Sequence, residues 1–511
     1  MGPACRRTPS PTPPMPRSTA PRPGVAAARS SPTKGPIRPP SRSTRPTRIS
    51  HRRKGRPMSR DPTRRALLAA AALLGLPPLL RPRAASAAPV LRRVIVVGAG
   101  VAGLTAARRL VDGGCSVVVL EARDRIGGRL ATDRSLGVPI ERGAAWIHGI
   151  DRNPIADLAR SVGARLVRTD DDRRTVHRPG GRPIPEAELD RAEDRWDALL
   201  AAIDGELDES EDVSLAEAIR ARDPTFLDDP VNAWTVTTKT EDDLGAAIED
   251  ASAYWFDEDQ ALSGPEVLLP DGYDAILAPL ARGLDLRLNR IVTRIERRAD
   301  GVTVTTADER FEADAVVCTL PLGVLKAGGV TFAPALPQAV QAAVEAIGVG
   351  TVTKAALAFD RRFWPEGNHF HGHVDAERGR WASFLDLSAV SGAPVLVGFA
   401  TGPYARKADA MTASNVGADV VAVLADMFGP GLPAPRGIVA TAWSRDPFAL
   451  GAYSLPKVGT TPKHYAALAA PIDGRLVLAG EHTDFPWHAT VHGAHRSGER
   501  AARAILGPPG G

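Results

Sequence analysis

The sequence predicts an α/β fold built as two domains, and three observations carry that prediction. A β-branched run, Val94 to Val97, leads into Gly98-Ala-Gly100-Val101-Ala102-Gly103 and then a helical stretch, Leu104 to Val111. A second strand, Ser116 to Leu120, follows that helix and ends on Glu121. Far downstream, strand-like runs separated by turns recur at 289–295, 301–305 and 315–325, and again at 476–478. With 511 residues, 43% of them hydrophobic, the chain has material for two or three domains with cores of their own.

Each part of the first unit has a physical reason. Gly98 permits a tight turn, Gly100 lets a pyrophosphate approach the backbone, and Gly103 allows helix and strand to pack closely. Val101 and Ala102 open the helix, whose unpaired N–H groups and positive dipole end suit a phosphate. Glu121 stands 23 residues after Gly98, near where such units hold a ribose hydroxyl. The result is a Rossmann-like βαβ unit that fits a dinucleotide, NAD or FAD by this motif alone.

Charge divides the chain unevenly. Residues 1–87 hold 19 Lys+Arg and one acid, Asp61, whereas the remaining 424 residues hold 45 basic and 58 acidic residues and are net −13. An acidic body disfavours nucleic-acid binding and suits a cationic ligand. Residues 1–57 are rich in Pro, Arg, Ser and Thr, a composition expected to be disordered. Thr63-Arg64-Arg65, an apolar run from Ala66 to Leu80 and Ala85-Ser86-Ala87 then read as a twin-arginine-type export signal. That run is too short for a stable membrane span, and it predicts an exported protein handled by the twin-arginine machinery. Met58, just upstream, is an alternative start. Of three cysteines, Cys5 lies in the leader, and Cys115 and Cys318 fall in apolar strand-like runs expected to bury free thiols. No metal site is expected.

The stretch Glu121-Ala122-Arg123-Asp-Arg-Ile-Gly-Gly128-Arg129 after such a βαβ unit resembles the flavin-containing amine oxidase family. Three further segments match in order: Asn289-Arg-Ile-Val292 with the strands that follow it, Leu476 to Thr483 with Glu481, and Ala489-Thr490-Val491-His-Gly leading to a helix at 499–506. The resemblance covers roughly 92–507 and implies an FAD-binding domain of glutathione-reductase type from 90–165, 266–335 and 451–507. A sheet-and-helix substrate domain would come from 166–265 and 336–450. Expected helices include Pro185 to Ile203 and Pro337 to Ile347. The resemblance assigns cofactor contacts to Glu121, Ala122, Arg123, Gly128 and Arg129, backbone contact with adenine to Val292, and further contacts to Glu481, Thr490 and Val491, beside those of Gly98 to Gly103. The cofactor is FAD, expected to be noncovalent because the segment around Glu481 offers no cysteine.

The same resemblance assigns the chemistry. Lys354, in Gly350-Thr-Val-Thr-Lys354-Ala-Ala-Leu-Ala-Phe359, matches the family's strand lysine beside flavin N5; alternation places it with Val352, Ala356 and Ala358. Lys326 reads as a surface residue. His148, in Trp146-Ile-His148-Gly149, stands where polyamine oxidases carry a histidine that binds or deprotonates the amine. Tyr453 supplies one wall of an aromatic cage whose other position is Thr490, with Trp487 a candidate for the missing ring. Acidic runs (Glu206 to Asp212, Glu241 to Asp243, Asp257 to Asp259) read as solvated helix faces or as attractors of a polycation. The function implied is oxidation of an amine, most closely a polyamine, by hydride transfer to flavin N5. Imine hydrolysis would follow, with dioxygen as acceptor and hydrogen peroxide as product. An L-amino-acid oxidase on the same scaffold, a desaturase or protoporphyrinogen-type oxidase, and a flavin-bearing redox module without turnover are the rivals. A histone demethylase is disfavoured by the signal and by the want of chromatin-binding modules.

Overall fold

The computed structural model of the protein describes residues 92–507. The expectations for a disordered leader, an export signal and a start at Met58 fall at 1–87, outside the described residues. The βαβ unit forms as β1 (Arg93–Val97), α1 (Val101–Asp112) and β2 (Ser116–Leu120). β1 is the centre of an all-parallel five-stranded sheet, with β2 and Asp285–Arg287 on one side and Ala315–Cys318 and Leu476–Leu478 on the other.

A parallel sheet is buried on both faces, so its strands read as continuous apolar runs. Period-two alternation then sorts each strand between two cores. Val94 and Val96 join Val317, Leu104 and Ile505 on one face. Ile95 and Val97 join Val316, Cys318 and Leu478 on the other. That second face is closed by a four-stranded sheet of Arg310–Ala313, Val302–Thr306, Val292–Arg297 and Thr331–Ala333. Cys115 is half-buried, Cys318 is buried, and both are free thiols.

A six-stranded sheet forms the second layer system, in the order Gly437–Ala440, β3 (Thr353–Ala358), Val395–Ala400, Ser383–Asp386, Phe370–His373 and Arg174–His177. It is antiparallel except for the last pair. The helix Ala413–Phe428 covers one face with Val416, Val420 and Leu424, spaced four apart, against Ala355 and Leu357. Ala356 and Ala358 point to the opposite core, the side on which Lys354 also lies. Helices at Glu186–Asp204 and Gln338–Ala346 match the expected ones within a residue at each end. No helix among the described residues is long and apolar enough to cross a membrane.

One element departs from expectation. The last helix, α2, spans Val491–Leu506, starting eight residues before the predicted Glu499. Gly493 and Gly498 look like turn residues, yet both are helical because neighbouring backbone crowds them. A Cβ at Gly498 would overlap the carbonyl oxygen of Ala102, and one at Gly493 that of Trp487. Small residues thus let α2 lie directly on the first turn of α1, where Leu104, Ala501 and Ile505 share a core. Each large aliphatic side chain buried there contributes about 1.5–3 kcal/mol.

Candidate active site

The nucleotide loop is built from the top of β1. Gly98 takes φ +99°, and a Cβ on Gly103 would overlap the carbonyl oxygen of Gly98, so the turn closes only with glycine at both places. Gly100 caps α1 without a side chain, and a Cβ built on it meets nothing within 4 Å. The first-turn N–H groups of Val101, Ala102 and Gly103 have no acceptor within the helix, the donors a diphosphate needs. Glu121, buried, pins the loop by accepting from Ala99 N at 2.7 Å and Arg123 N at 2.9 Å. Arg123 continues from Ala122 to a bidentate pair with Asp446, at 2.9 and 2.7 Å. Gly128, at φ +58°, packs against Gly100. Val292 begins a strand and is buried beneath it. These features fit the FAD that the sequence leads one to expect.

Three segments converge on Glu481. Its carboxylate accepts from Arg129 Nη1 at 2.9 Å, Ser454 Oγ at 2.6 Å, Ser454 N at 3.3 Å and Ala489 N at 3.0 Å. Burial alone would raise this acid, but the Arg129 guanidinium and the other donors hold it down to about 2. Arg129 also donates to Ala452 O at 2.8 Å. Tyr453, next to Ser454, donates its hydroxyl to Asp242 O at 2.8 Å and lies against Gly245.

Thr490 accepts from Gly493 N at 2.9 Å and donates to Trp487 O at 2.8 Å, so its hydroxyl is committed to capping α2 just ahead of Val491. Thr490→Ala is expected to lower unfolding stability by about 1 kcal/mol and to leave the rate of amine oxidation within a few-fold. Thermal unfolding and peroxide release check the two halves. Trp487 is buried against His492, with ring centroids 5.1 Å apart, and under Arg496. No ring pair among the described residues joins it to Tyr453.

Lys354 sits on β3 opposite Phe399. Thr441 brackets its backbone, accepting from Lys354 N at 2.8 Å and donating its own N–H to Lys354 O at 3.0 Å. Its Nζ donates to Gly143 O at 2.5 Å and Glu141 O at 3.5 Å, between the rings of Trp146 and Phe399 at 5.8 and 5.5 Å. Burial pushes the ammonium down to about 8, against the pull of Glu141. The residue nevertheless is half-buried and not fully enclosed. Gly143 in turn is pressed on Arg129 O, which ties the lysine's acceptors to the Glu481 network. Lys326 donates instead to Glu345 O at 2.9 Å, away from these groups.

His148 lies elsewhere than beside the lysine's nitrogen. Its side chain is 57% exposed, and Nδ1 is 2.7 Å from Glu266 Oε2. Burial raises Asp171, with the like charge of Glu266 set against the pull of Lys239 and Arg174, and Asp171 in turn is among the like charges that add to the burial of Asp242. Asp242 accepts from Thr401 Oγ1 at 2.5 Å, and burial pushes it up to about 7 while the side chain keeps accessible surface. The acidic run at 241–243 is thus split. Glu241 is fully buried, Asp242 is half-buried, and Asp243 is exposed. The run follows a π-helical turn at Thr237–Glu241, and successive helical side chains point in different directions. Asp242 belongs to a run that the sequence marked as a possible attractor of a polycation, whereas Asp171, Glu266 and Glu141 went unassigned because no local pattern marks a carboxylate that long-range contacts position.

A parallel nucleotide sheet with an uncapped glycine turn, joined to a second sheet that presents a buried lysine, defines a nucleotide-cofactor oxidoreductase. The chain belongs to the flavin-containing amine oxidoreductase family, whose sequence profile matches residues 101–506. It is 36% identical over 429 residues to polyamine oxidase 4 of Oryza sativa subsp. japonica, covering 80% of this chain and 87% of that protein. Probable polyamine oxidase 4 of Arabidopsis thaliana is 34% identical over 431 residues, covering 80% and 86%. Among solved structures, a double mutant of putrescine oxidase redesigned in cofactor binding matches with a TM-score of 0.67 at 22% identity, covering 82% of this chain and 99% of that one. The protein is therefore a flavin-dependent amine oxidase.

Proposed function

We propose that the substrate is a polyamine and that the flavin is noncovalently bound FAD. The observation that carries the reading is the line of carboxylates Glu266, Asp171 and Asp242, which leads from the exposed His148 to Tyr453. Spaced negative charges hold spaced ammonium groups and repel a substrate carboxylate, which disfavours the amino-acid oxidase reading. Tyr453 supplies a flat wall beside the amine, and Lys354 presents Nζ between Trp146 and Phe399. Gly98 to Gly103, Glu121, Arg129 and Glu481 would hold the cofactor. Bound there, FAD would supply a two-electron acceptor for oxidation at the carbon next to nitrogen, with dioxygen as the final oxidant and hydrogen peroxide as product. The substrate leaves as an imine that water hydrolyses to an aldehyde and a shorter amine. Noncovalent attachment is supported by the two thiols: burial raises Cys115 and pushes Cys318 up to about 12, so neither is a ready thiolate.

Spermine, spermidine, a simple monoamine and an L-amino acid, each added anaerobically, test this by bleaching of the flavin band. Bleaching by the polyamines alone is expected, and bleaching by the amino acid alone would overturn it. Asp242→Asn should raise the KM for spermidine about tenfold with kcat within a few-fold, the loss of one charge-assisted hydrogen bond. Because Asp242 ionises around 7, the wild-type KM should fall as pH rises through that value, and the fall should vanish in the variant. An unchanged KM and pH profile would remove Asp242 from binding.

A further inference from the structure

Lys354 Nζ has two protein acceptors, the main-chain oxygens of Gly143 and Glu141. A neutral amine has two N–H donors and one lone pair, whereas an ammonium has three N–H donors. Two carbonyls satisfy the two donors of the neutral form and leave its lone pair free to accept a proton. Accepting a proton there creates a buried cation, and a buried charge persists only with a counter-charge.

Glu141 is placed to supply that counter-charge. Its own backbone oxygen contacts Nζ, and the charge of its carboxylate acts on the ammonium. Thr132 Oγ1 donates to that carboxylate at 3.0 and 2.9 Å, and Tyr273 N donates at 2.8 Å, which fixes its position. Burial pushes the acid up to about 7 against the pull of these donors and of Lys354. Of the groups around the pair, Glu141 is the charge that acts on Lys354. Asp274, which acts on Glu141, is paired with Arg134 at 2.8 Å, and the hydroxyl of Tyr273 is pushed far up and stays neutral.

We propose that Glu141 is the positioning residue that sets the charge of Lys354, its backbone oxygen anchoring Nζ and its pinned carboxylate balancing the proton that Nζ takes from the substrate. The inference rests on the amine-oxidation reading above. In the step, the substrate ammonium gives one proton to neutral Lys354, so R2NH2+ and Lys-NH2 become R2NH and Lys-NH3+. The substrate nitrogen regains its lone pair and no electron is transferred.

Trace acetylation by acetic anhydride, read on the Lys354 peptide by mass spectrometry between about pH 6 and 10, titrates Nζ in the holoenzyme without substrate. The wild-type midpoint is expected at about 8. Glu141→Gln should lower it by about one unit, because the charge that favours the ammonium is gone, and Glu141→Asp should keep it within about half a unit. Thr132→Val, which leaves the acid in place but takes away a donor, should lower it by less. The pH profile of anaerobic bleaching should shift in the same direction in each variant. Equal midpoints in wild type, Glu141→Gln and Thr132→Val would overturn the proposal, and so would an equal shift in Glu141→Asp. If no amine bleaches the wild-type flavin, the polyamine reading fails, yet the labelling midpoints still decide the role of Glu141.

Discussion

Lys354→Met should bind flavin with an unaltered visible spectrum and reduce it with polyamine at least ~100-fold more slowly than wild type, the size of a lost acid–base group. The two halves of this expectation come from different contacts. Lys354 touches Gly143 O, Glu141 O and the rings of Trp146 and Phe399, and none of these belongs to the glycine turn or to the Glu481 carboxylate. Methionine keeps the stem against both rings and removes only the nitrogen. The carbonyls it leaves can turn to water, so the stability loss should stay near the 1–3 kcal/mol of an unmade hydrogen bond. Anaerobic stopped-flow bleaching measures the rate, and flavin absorbance per protein measures occupancy. An unchanged rate would take Lys354 out of the chemistry, and lost flavin would make it a structural residue.

The same contrast between local and long-range order decided what could be read from the sequence. The βαβ unit was legible because its glycines, its β-branched runs and Glu121 lie within 28 residues and each answers to a backbone requirement. Lys354 and Tyr453 were legible through the family resemblance, and both are half-buried in the structure. The carboxylates were not. Asp242 stands in an acidic run whose pattern does not tell its half-buried member from its buried and exposed neighbours, and Glu141 meets Lys354 across 213 residues of chain. His148 had a suggestive motif, yet it lies at the exposed end of the acidic line, paired with Glu266. The early start of α2 was hidden because glycine signals both turns and close packing, and only the partner backbone tells which.

Arg129→Met should destabilise the protein by about 3–5 kcal/mol near neutral pH, the cost of leaving a buried carboxylate without its partner. The Glu481 side chain is 6% exposed, and the remaining donors, Ser454 and Ala489, are neutral. The sign with pH follows from the depressed carboxyl. A folded acid held at about 2, below the ordinary carboxylate range of the unfolded chain, stabilises the fold fully above about 4.5 and loses that contribution as pH falls toward 2. The variant lacks most of this shift, so its deficit against wild type should be largest at neutral pH and should shrink below about pH 4. Part of it should persist at every pH, because Arg129 also donates to Ala452 O and that bond does not titrate. Adding Glu481→Gln to Arg129→Met removes the stranded charge and should recover part of the loss. Urea unfolding of the three proteins in excess FAD at neutral and acid pH gives the comparison. A deficit that is the same at both pH values, with no recovery in the double variant, would mean that Arg129 acts through packing and its bond to Ala452, and that Glu481 keeps its charge without it.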